Sequence, residues 1–447
     1  MNRLLAISPL DGRYYDNTNN LQDYFSEFAY IRMRIYIELH YFINLCNTLQ
    51  IDISYDKINN IFLNFNILEC EKIKKIESKI KHDVKSIEIY ISNKFQEYNI
   101  SHKNLIHFGL TSQDINNTSI TLSLNSYISN VYIIYIEDII KILNYKYNNW
   151  SNIVMLSKTH GQPAVPTTLG KELYVFSYRL QKELNNLKNI KFYTKFGGAV
   201  GNLNAHYSAY PNINWNEFAD NLLSKLYLYR SQYTTQIDNY ENLSIIFDNI
   251  KRINTILVDL CRDIWQYISM EYFLQNFSEN EVGSSTMPHK INPINFENAE
   301  GNLLLSIALL EFFSRKLPIS RLQRDLTDST VLRNIGSIFG YCQISYDNLV
   351  KGLDNIIPND IKITKDLEDN IIVITEGLQT ILRKYGDNNA YNKLKNFCRT
   401  NRKIDMNDIN KFIDDLDVSE LCRNELLNIN INNYIGNCFN QNLNSEI

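Results

Sequence analysis

Apolar residues recur at intervals of three and four along most of the chain, the pattern typical of amphipathic helices. The first stripe runs from Leu21 to Leu49. Two longer segments without internal proline or glycine, Asp114–Tyr147 and Ser244–Phe273, predict helices on the order of 45 to 50 Å long. Further helices are predicted over Ile294–Ser314 and Thr327–Gly352. Strands are expected to be few, so the predicted fold class is mainly α.

The Asp114–Tyr147 helix is apolar on nearly every side over its second half, where it carries Ile133, Ile134, Ile136, Ile139, Ile140 and Leu143. A helix of this kind must be surrounded by other helices, from its own chain or from neighbouring chains. Subunit association is therefore expected.

A length of 447 residues is sufficient for two or three domains with cores of their own. Breaks in the helical pattern near Ser101 and Pro358 predict an N-terminal helical domain over 1–100 and a central long-helix bundle over 101–357. The central domain carries most of the motifs described below. The remaining residues, 358–447, are polar and Asn-rich, but they retain helical stripes such as Leu378, Ile381 and Leu382. They are predicted to form a C-terminal helical domain.

Charge and cysteine content exclude several classes of protein. A net charge of −4 and a pI near 6.0 provide no basic field, so nucleic acid is not an expected partner. The 7 cysteines are odd in number, scattered, and contain no Cys-x-x-Cys pair. They are typical of reduced thiols in the cytoplasm, and no metal site is predicted from them.

Targeting and membrane segments are not predicted. The apolar run Leu4–Ile7 is too brief for a signal peptide. The most apolar stretch, Val131–Leu143, is interrupted by Glu137 and Asp138 and falls short of the roughly 20 residues that a bilayer span needs.

The segment from Phe277 to Pro293 is polar and lies between two helical regions. It exceeds the median helix connection of about 4 to 6 residues, which favours a functional lid over an ordinary connection. Ser284 and Ser285 place hydroxyls on it. A serine acts as a base only where cations, N–H groups and the exclusion of water stabilise its alkoxide. By themselves, two serines in a loop are more often turn residues than catalytic ones.

Within this segment, Gly283–Pro293 reads GSSTMPHKINP and resembles the signature of the superfamily of fumarases, aspartases, argininosuccinate lyases and adenylosuccinate lyases. His289 favours the adenylosuccinate lyase branch, because the other branches usually carry glycine or glutamine there. Further segments resemble bacterial members of that branch, in the same order along nearly the whole chain: Ser8–Asp16, Lys81–Glu88, His107–Asn117, Ser157–Glu172, Gly197–His206, Tyr233–Ile237 and Arg321–Asn334.

This resemblance implies a three-domain fumarase/aspartase-like fold with a long central helical bundle, assembled as a cytoplasmic homotetramer. It also implies the reaction, a β-elimination that releases fumarate from adenylosuccinate to give AMP, and from the related succinyl-carboxamide ribotide of purine synthesis. The reaction requires two proton-transfer groups, and neither a cofactor nor a metal ion is expected.

The resemblance assigns the base to Ser285 and the general acid to His160. An imidazole suits the second task because its pKa of about 6.5 lets it hold or release a proton near neutral pH. The alternative for His160 is a structural role in an irregular loop, which Pro163 and Pro166 indicate locally.

The carbanion intermediate carries extra negative charge, so donors and a cation must already point at it. The candidates are Thr111, Ser112, Lys290 and Asn292. Thr111 and Ser112 are also candidate caps of a helix that begins before Asp114. Both roles are compatible, because a helix N-terminus attracts anions.

A phosphate-binding glycine loop is not predicted, because GGAVG at Gly197–Gly201 lacks the G-x-G-x-x-G spacing. Arginines are the alternative, since their planar fork pairs with phosphate oxygens. The resemblance assigns nucleotide binding to Arg13, Tyr14, His82, Asp83, Gln236, Arg324, Ser329 and Arg333. Two departures from the family pattern are Lys81, where asparagine is typical, and Gln113, where serine or glutamate is more usual.

Two other functions compete with this interpretation. A sibling lyase, above all an argininosuccinate lyase, would share the chemistry but would not need phosphate-pairing arginines. A non-catalytic structural homologue of the lens crystallin kind predicts loss of the site residues, whereas His160, Ser285 and Lys290 are all present.

Overall fold

A computed structural model of the chain describes residues 3–276, 287, 289–400 and 403–438. These residues fold mainly as α-helices, as predicted from the periodicity. In chain order the helices are α1 Tyr15–Thr18, α2 Gln22–Phe25, α3 Glu27–Thr48, α4 Tyr55–Leu63, α5 Ile67–Ile80, α6 Asp83–Glu97, α7 Ser112–Tyr127, α8 Ile133–Trp150, α9 Leu169–Lys188, α10 Asn204–Ala209, α11 Trp215–Ser224, α12 Glu241–Ser269, α13 Ile294–Lys316, α14 Thr327–Leu332, α15 Ile335–Asn355, α16 Asp360–Asp369, α17 Thr375–Lys384, α18 Ala390–Cys398, α19 Met406–Asp414 and α20 Glu420–Leu427.

Short 3-10 turns and three small sheets complete the described ranges. The 3-10 turns are Arg3–Leu5, Asn19–Leu21, Lys103–Leu105 and Ile371–Ile374, and a π turn at Ile128–Tyr132 joins α7 to α8. The strands pair as β1 Val154–Thr159 with β2 Gln162–Thr168, β3 Tyr193–Thr194 with β4 Tyr229–Arg230, and β5 Phe273–Gln275 with β6 Ile356–Pro358. The first and third pairs are antiparallel and the second is parallel.

Packing divides the chain into two compact units. The first contains Met1–Glu137, Lys182–Val258 and Asn298–Asn348. The second contains Asp138–Gln181, Asp259–Glu297 and Leu349–Ile447. Within the second unit, the helices from α17 to α20 enclose a core of their own, which buries the predicted stripe residues Leu378 and Leu382. The division into three domains at 100/101 and 357/358 stays a prediction.

Three of the five predicted long helices, Asp114–Tyr147, Ser244–Phe273 and Ile294–Ser314, are present with shifted ends. The other two are wrong as single helices, and Leu21–Leu49 is interrupted at Ser26, whose extended backbone separates α2 from α3. The Thr327–Gly352 segment breaks after Leu332 into α14 and α15. The side chain of Asn334 donates to the carbonyl of Thr330 at 3.1 Å, which is the acceptor that a continuing helix would offer to the Asn334 N–H. That N–H turns instead to the carbonyl of Val331 at 2.9 Å, which ends the helix.

The segment around His160 is also different from the irregular loop that its prolines indicated. It forms the antiparallel hairpin β1–β2, in which Thr159 pairs with Gln162 across a two-residue turn. His160 and Gly161 both have positive φ, 53° and 73°, the signature of a type I′ turn. Pro163 and Pro166 are tolerated in β2 because both strands of a two-stranded sheet are edges, where a missing N–H can face outward.

Helix α8 is covered on one side only within a single chain. Ile136, Ile139 and Leu143 are fully buried, whereas Ile134 is 51% exposed and Tyr145 is 68% exposed. The apolar sequence of this helix therefore exceeds what its own chain covers. Across the described ranges, no helix combines the length and the apolar character required to cross a bilayer.

A buried carboxylate connects the start of α7 to the Gly197–Gly201 loop. Lys195 and Asp114 are both fully buried, and the Lys195 ammonium donates to Oδ1 of Asp114 at 2.6 Å. The same oxygen accepts from the N–H groups of Gly197 and Gly198 at 2.8 and 3.1 Å. Oδ2 accepts from the N–H of Thr111 at 2.8 Å. The glycine-rich loop thus wraps a side-chain carboxylate of this chain.

An aromatic cluster next to this loop encloses His206. The hydroxyl of Tyr41 donates to the carbonyl of Phe108 at 2.5 Å, so it accepts from Nε2–H of His206 at 2.9 Å. Nδ1 of His206 is then unprotonated and has no partner among the described residues. Burial lowers the pKa of His206 to about 4. Gly109 closes the cluster, because a Cβ there would lie 2.7 Å from the imidazole.

Replacing Lys195 with methionine should destabilise the protein by about 3 to 5 kcal/mol, because the carboxylate of Asp114 would remain buried without its counter-charge. The measurement is chemical denaturation at fixed protein concentration. Lys188→Met is the matched control, since Lys188 contacts Glu137 at the same 2.6 Å but the two side chains are 40% and 49% exposed. That control should cost less than about 1 kcal/mol. Equal losses in both variants would contradict the buried-pair argument.

The lowered pKa of His206 predicts loss of stability in acid. A folded-state pKa of about 4 lies below the unfolded value of 6.5, so the contribution of the neutral imidazole is complete above 6.5 and is lost as the pH falls towards 4. Between pH 7 and pH 4, the free energy of unfolding should fall by up to about 3 kcal/mol more in the wild type than in His206→Gln. Parallel stability curves for the two proteins would refute this.

Candidate active site

The predicted site residues are distributed over both packing units. The first unit holds the predicted nucleotide-binding residues and the α7 cap, namely Arg13, Tyr14, His82, Asp83, Thr111, Ser112, Gln236, Arg324, Ser329 and Arg333. The second unit holds His160, Lys290 and Asn292. Ser285, the predicted base, and its neighbour Ser284 lie outside the described residues.

Three of the predicted nucleotide-binding residues meet around one guanidinium group. Arg324 directs Nη1 to the side-chain oxygen of Gln236 at 3.4 Å and Nη2 to the hydroxyl of Ser329 at 3.5 Å. Both distances are at the long limit for hydrogen bonds. The backbone N–H of Gln236 donates to the carbonyl of Gln323 at 3.2 Å, which joins the two segments. A guanidinium held this loosely can exchange its neutral partners for phosphate oxygens, which bind it more strongly.

A buried hydrogen-bond chain fixes the helix that carries Ser329. The hydroxyl of Tyr240 donates to the carboxylate of Asp328 at 2.8 Å and accepts from the amide of Asn117 at 2.7 Å. The side-chain oxygen of Asn117 accepts from the N–H of Asp238 at 3.1 Å. All four residues are buried. The start of α14 is thereby tied to α7.

His82 and Asp83 lie at a tight corner between α5 and α6. Lys81 ends α5 in the left-handed conformation, with φ 57°. His82 is the N-cap of α6, and its Nδ1 accepts from the N–H of Lys85 at 3.1 Å. The proton of the neutral ring is therefore on Nε2, and the side chain is half exposed. At the Lys81 departure, the backbone conformation is one that asparagine adopts more readily than lysine.

The carboxylate of Asp83 contacts two arginines, one of which sequence reasoning missed. Oδ2 lies 3.4 Å from Nη2 of the predicted Arg333 and 3.2 Å from Nη2 of Arg34 on α3. Arg333 also contacts Glu27 at 3.0 Å. Burial by itself raises the pKa of Asp83, but Arg34 outweighs it together with the Val84 N–H and Arg333, so the pKa is lowered.

A recess of about 30 Å³ opens where α3, α6, α7 and α14 meet. Asp83, Ser329 and Arg333 line it, which places these three predicted residues around one space. Gln113, the departure on α7, also lines it and is 1% exposed. Gln113 is therefore buried beside these three predicted residues and does not face solvent.

Thr111 is the N-cap of α7, and Ser112 is the first residue of that helix, as the alternative role predicted. The carboxylate of Asp114 accepts the N–H of Thr111 and keeps it turned inward. The aligned peptide dipoles of α7 give this helix start a partial positive charge, which is compatible with an anionic ligand.

His107, next to this cap, contacts a buried carboxylate. Its Nδ1 lies 2.5 Å from Oε1 of Glu38 on α3. Burial by itself lowers the pKa of His107, but the Glu38 carboxylate outweighs it and leaves the pKa raised. Arg34 and Glu38 could have been found in the sequence, because they are charged residues on the stripe of α3 that includes Ile31 and Ile35.

The N-terminal motif lies near Arg333. A groove of about 240 Å³ is lined by Asp11 and Tyr15, on either side of the predicted pair, and by Arg333. The hydroxyl of Tyr14 accepts from the side chain of Asn298 at 3.1 Å. The guanidinium of Arg13 lies 5.8 Å from the centre of the Tyr14 ring.

In the second unit, His160 occupies the exposed tip of the β1–β2 hairpin. Lys290 is exposed, and its N–H donates to the carbonyl of Met287 at 3.0 Å. The carbonyl of Asn292 accepts from the N–H of Ile294, the first residue of α13, at 2.9 Å. Lys290 and Asn292 are thus attached to the start of a 23-residue helix.

No set of three or more His, Cys, Asp or Glu side chains in the described part of the chain is arranged to hold a metal ion. All seven cysteines are free thiols, and five of them are buried: Cys46, Cys70, Cys261, Cys342 and Cys422.

Comparison with solved structures identifies the fold. A fumarate lyase from Mesorhizobium sp. BNC1 superposes with a TM-score of 0.74 at 16% identity, covering 94% of this chain and 95% of the other. A 3-carboxy-cis,cis-muconate lactonizing enzyme from Pseudomonas putida gives 0.73 at 17% identity, covering 94% of each. At these identities the likeness concerns the fold alone, and it confirms the predicted fumarase/aspartase-like class.

Sequence comparison identifies the family. A model described as Lyase matches residues 51–305, and a model described as adenylosuccinate lyase C-terminal matches residues 320–435. The adenylosuccinate lyase of Dictyostelium discoideum is 47% identical, covering 98% of this chain and 97% of that protein. The adenylosuccinate lyase of Escherichia coli (strain K12) is 39% identical with the same coverage. Since these matches extend over nearly the entire sequence, the chain belongs to the adenylosuccinate lyase family.

Proposed function

We propose that the protein releases fumarate from adenylosuccinate to give AMP, and from the succinyl-carboxamide ribotide to give the corresponding carboxamide ribotide. The observation that carries this proposal is the grouping of Asp83, Gln236, Arg324, Ser329 and Arg333 in the first unit of a chain from this family. Two guanidinium groups and a hydroxyl in one region fit the phosphate of a nucleotide.

The reaction is an elimination in two proton transfers. A base removes a proton from the carbon beside a carboxylate of the succinyl group, and the electron pair forms the double bond of fumarate. The bond between the neighbouring carbon and the nitrogen breaks, and an acid protonates that nitrogen. Ser285 is the proposed base and His160 the proposed acid.

The hairpin supports the role of His160. A type I′ turn has no freedom in length, so the backbone that carries the imidazole lies at a defined place on the tip of the β1–β2 hairpin. The side chain is exposed in the single chain. General acid catalysis works best in a site from which water is excluded, so another surface must cover this tip during the reaction.

The α7 N-terminus and the segment before α13 are the proposed groups that stabilise the negative charge developing on the substrate carboxylate. Thr111 and Ser112 contribute the positive end of a 16-residue helix. Lys290 contributes a cation, and Asn292 an amide donor. Donors that are fixed before the reaction lower its barrier because they need no reorganisation.

The competing functions are less well supported. The C-terminal model and the relatives named above are those of adenylosuccinate lyases and not of argininosuccinate lyases. A structural protein of the crystallin kind would not need the loosely held Arg324 or the arginine pair at Asp83. Measured turnover distinguishes an enzyme from such a structural protein, because a fold can be kept without its activity.

The proposed assembly is a cytoplasmic homotetramer whose sites combine residues of several subunits. Large apolar side chains remain exposed on the long helices, among them Ile134 on α8, Val175 and Tyr178 on α9, Ile245 and Trp265 on α12, and Leu304, Leu305 and Phe312 on α13. Exposed apolar area of this extent is typical of protein interfaces. The free thiols fit a reducing compartment.

Ser285→Ala and His160→Ala should each abolish turnover, with a decrease of about 10² to 10⁴-fold in kcat, because each removes one proton-transfer group. His160→Asn is the more conservative variant, since asparagine tolerates the left-handed turn conformation. Fumarate release from adenylosuccinate is followed by absorbance, and circular dichroism verifies the fold.

Substitutions of Ser284 and His102 serve as controls for this experiment. Ser284→Ala removes a hydroxyl one residue from Ser285, and His102→Asn alters another exposed histidine with a positive φ, 63°. Both should keep near wild-type rates. A near-normal rate in a Ser285 or His160 variant would remove that residue from its proposed role. Release of fumarate from argininosuccinate alone would overturn the proposed substrate.

Light scattering should give about four times the 52.5 kDa of one chain. Leu305→Glu should shift the mass towards smaller species and lower activity, because it places a charge on the exposed apolar face of α13. Leu421→Glu is the control, as Leu421 is similarly exposed on α20. A monomeric wild type with full activity would contradict the proposed assembly.

A further inference from the structure

We propose that Arg34 is a positioning residue of the nucleotide site, which holds the carboxylate of Asp83 in place and, through that carboxylate, Arg333. This inference rests on the proposed function. It adds a residue of α3 that lies outside the sequence motifs from which the site residues were predicted.

The geometry connects the three side chains through a single oxygen. Oδ2 of Asp83 lies 3.2 Å from Nη2 of Arg34 and 3.4 Å from Nη2 of Arg333. The other carboxylate oxygen accepts the N–H of Val84 at 2.8 Å, so the carboxylate is fixed on both sides. The other terminal nitrogen of Arg333, Nη1, contacts the carboxylate of Glu27 at 3.0 Å. Its guanidinium is therefore oriented by two carboxylates, and Arg34 fixes one of them.

The burial of Arg34 distinguishes it from Arg333. Arg34 is 6% exposed, whereas the Arg333 side chain is 46% exposed and accessible to a ligand. A buried guanidinium has a large desolvation cost that its partners must offset. Within the described residues only one ion pair of Arg34 is found, to Asp83. Arg34 is accordingly placed to act on the ligand through Asp83 and Arg333.

The recess beside Arg34 contains three buried polar atoms without partners in the described structure. They are Nη1 of Arg34, Nε2 of Gln113 and Oδ1 of Asn116. Each unpaired atom costs about 1 to 3 kcal/mol. A volume of about 30 Å³ is too small for a nucleotide but accommodates one or two water molecules. Water there would link Arg34 to α7 and complete a rigid wall behind Ser329 and Arg333.

The competing explanation is that the Arg34–Asp83 pair only holds α3 against α6. The chain offers a matched comparison in Arg230, which is 5% exposed and contacts Asp220 at 2.6 Å in the same unit. Arg230 lies outside the proposed site. A purely structural arginine should affect stability in the way that Arg230 does and leave substrate affinity unchanged.

The test compares Arg34→Gln, Arg34→Lys and Arg230→Gln. For each variant, KM and kcat are measured with adenylosuccinate, the Kd of AMP by calorimetry, and stability by denaturation. Arg34→Gln should raise KM and the Kd of AMP by about tenfold or more while kcat changes by less than about threefold, since a binding interaction is lost. Arg34→Lys keeps the charge but not the fork, so it should restore part of the affinity. Arg230→Gln should lower stability alone.

The proposal is overturned if the Arg34 variants keep wild-type KM and Kd and lose only stability, as Arg230→Gln should. It is equally overturned if kcat falls while KM and Kd do not change. Should Arg34→Gln fail to fold, Arg34→Lys decides by the same criteria. If the wild type binds AMP but releases no fumarate, the proposed reaction is refuted. The role of Arg34 is then decided by the Kd of AMP in the Arg34 variants. A wild type that does not bind AMP refutes both.

Discussion

The carboxylate of Asp114 is the point at which the first unit is assembled. Two segments that are far apart in the sequence meet on its two oxygens. The start of α7 contributes the N–H of Thr111, and the segment 195–198 contributes the ammonium of Lys195 and the N–H groups of Gly197 and Gly198. Because the group is fully buried, these donors replace all of its hydration, and none can be removed at low cost. These contacts of the Asp114 carboxylate fix the position of the α7 N-terminus, and therefore the position of any anion that this helix end attracts.

Around this point, the interior of the first unit contains several buried charged and polar side chains. Arg34 and Glu38 project from α3 between apolar residues, Arg34 towards the carboxylate of Asp83 and Glu38 towards the imidazole of His107. In an interior of low dielectric, such pairs are strong when complete and costly when broken. The proposed nucleotide site is thus backed by charges that hold one another in place, while the ligand-facing groups remain loosely bound, as the long contacts of Arg324 illustrate.

Helical periodicity predicted the fold class and most long helices, because apolar stripes reflect burial directly. The segments that periodicity does not describe were harder to predict. Pro163 and Pro166 indicated a loop, yet they lie in an edge strand, where their missing N–H groups cost little. The break after α14 is accompanied by a hydrogen bond from the side chain of Asn334 to the carbonyl of Thr330. The amino-acid composition of the segment does not predict this bond. The place of Arg34 on the apolar stripe of α3, with Ile31 and Ile35, indicates a buried charge in the sequence, but the identity of its partner Asp83 depends on the packing of α3 against α6.

The two-residue turn at His160 restricts how this part of the chain can vary. Neither strand of the hairpin can gain or lose a residue at the tip without a different turn or a bulge, and a slip of one position would send the following side chains to the opposite face of the ladder. Changes in the reach of the imidazole must therefore come from elsewhere, through the body that supports the hairpin. A longer loop tolerates insertions and deletions, whereas a change of length in this two-residue turn requires a different turn type.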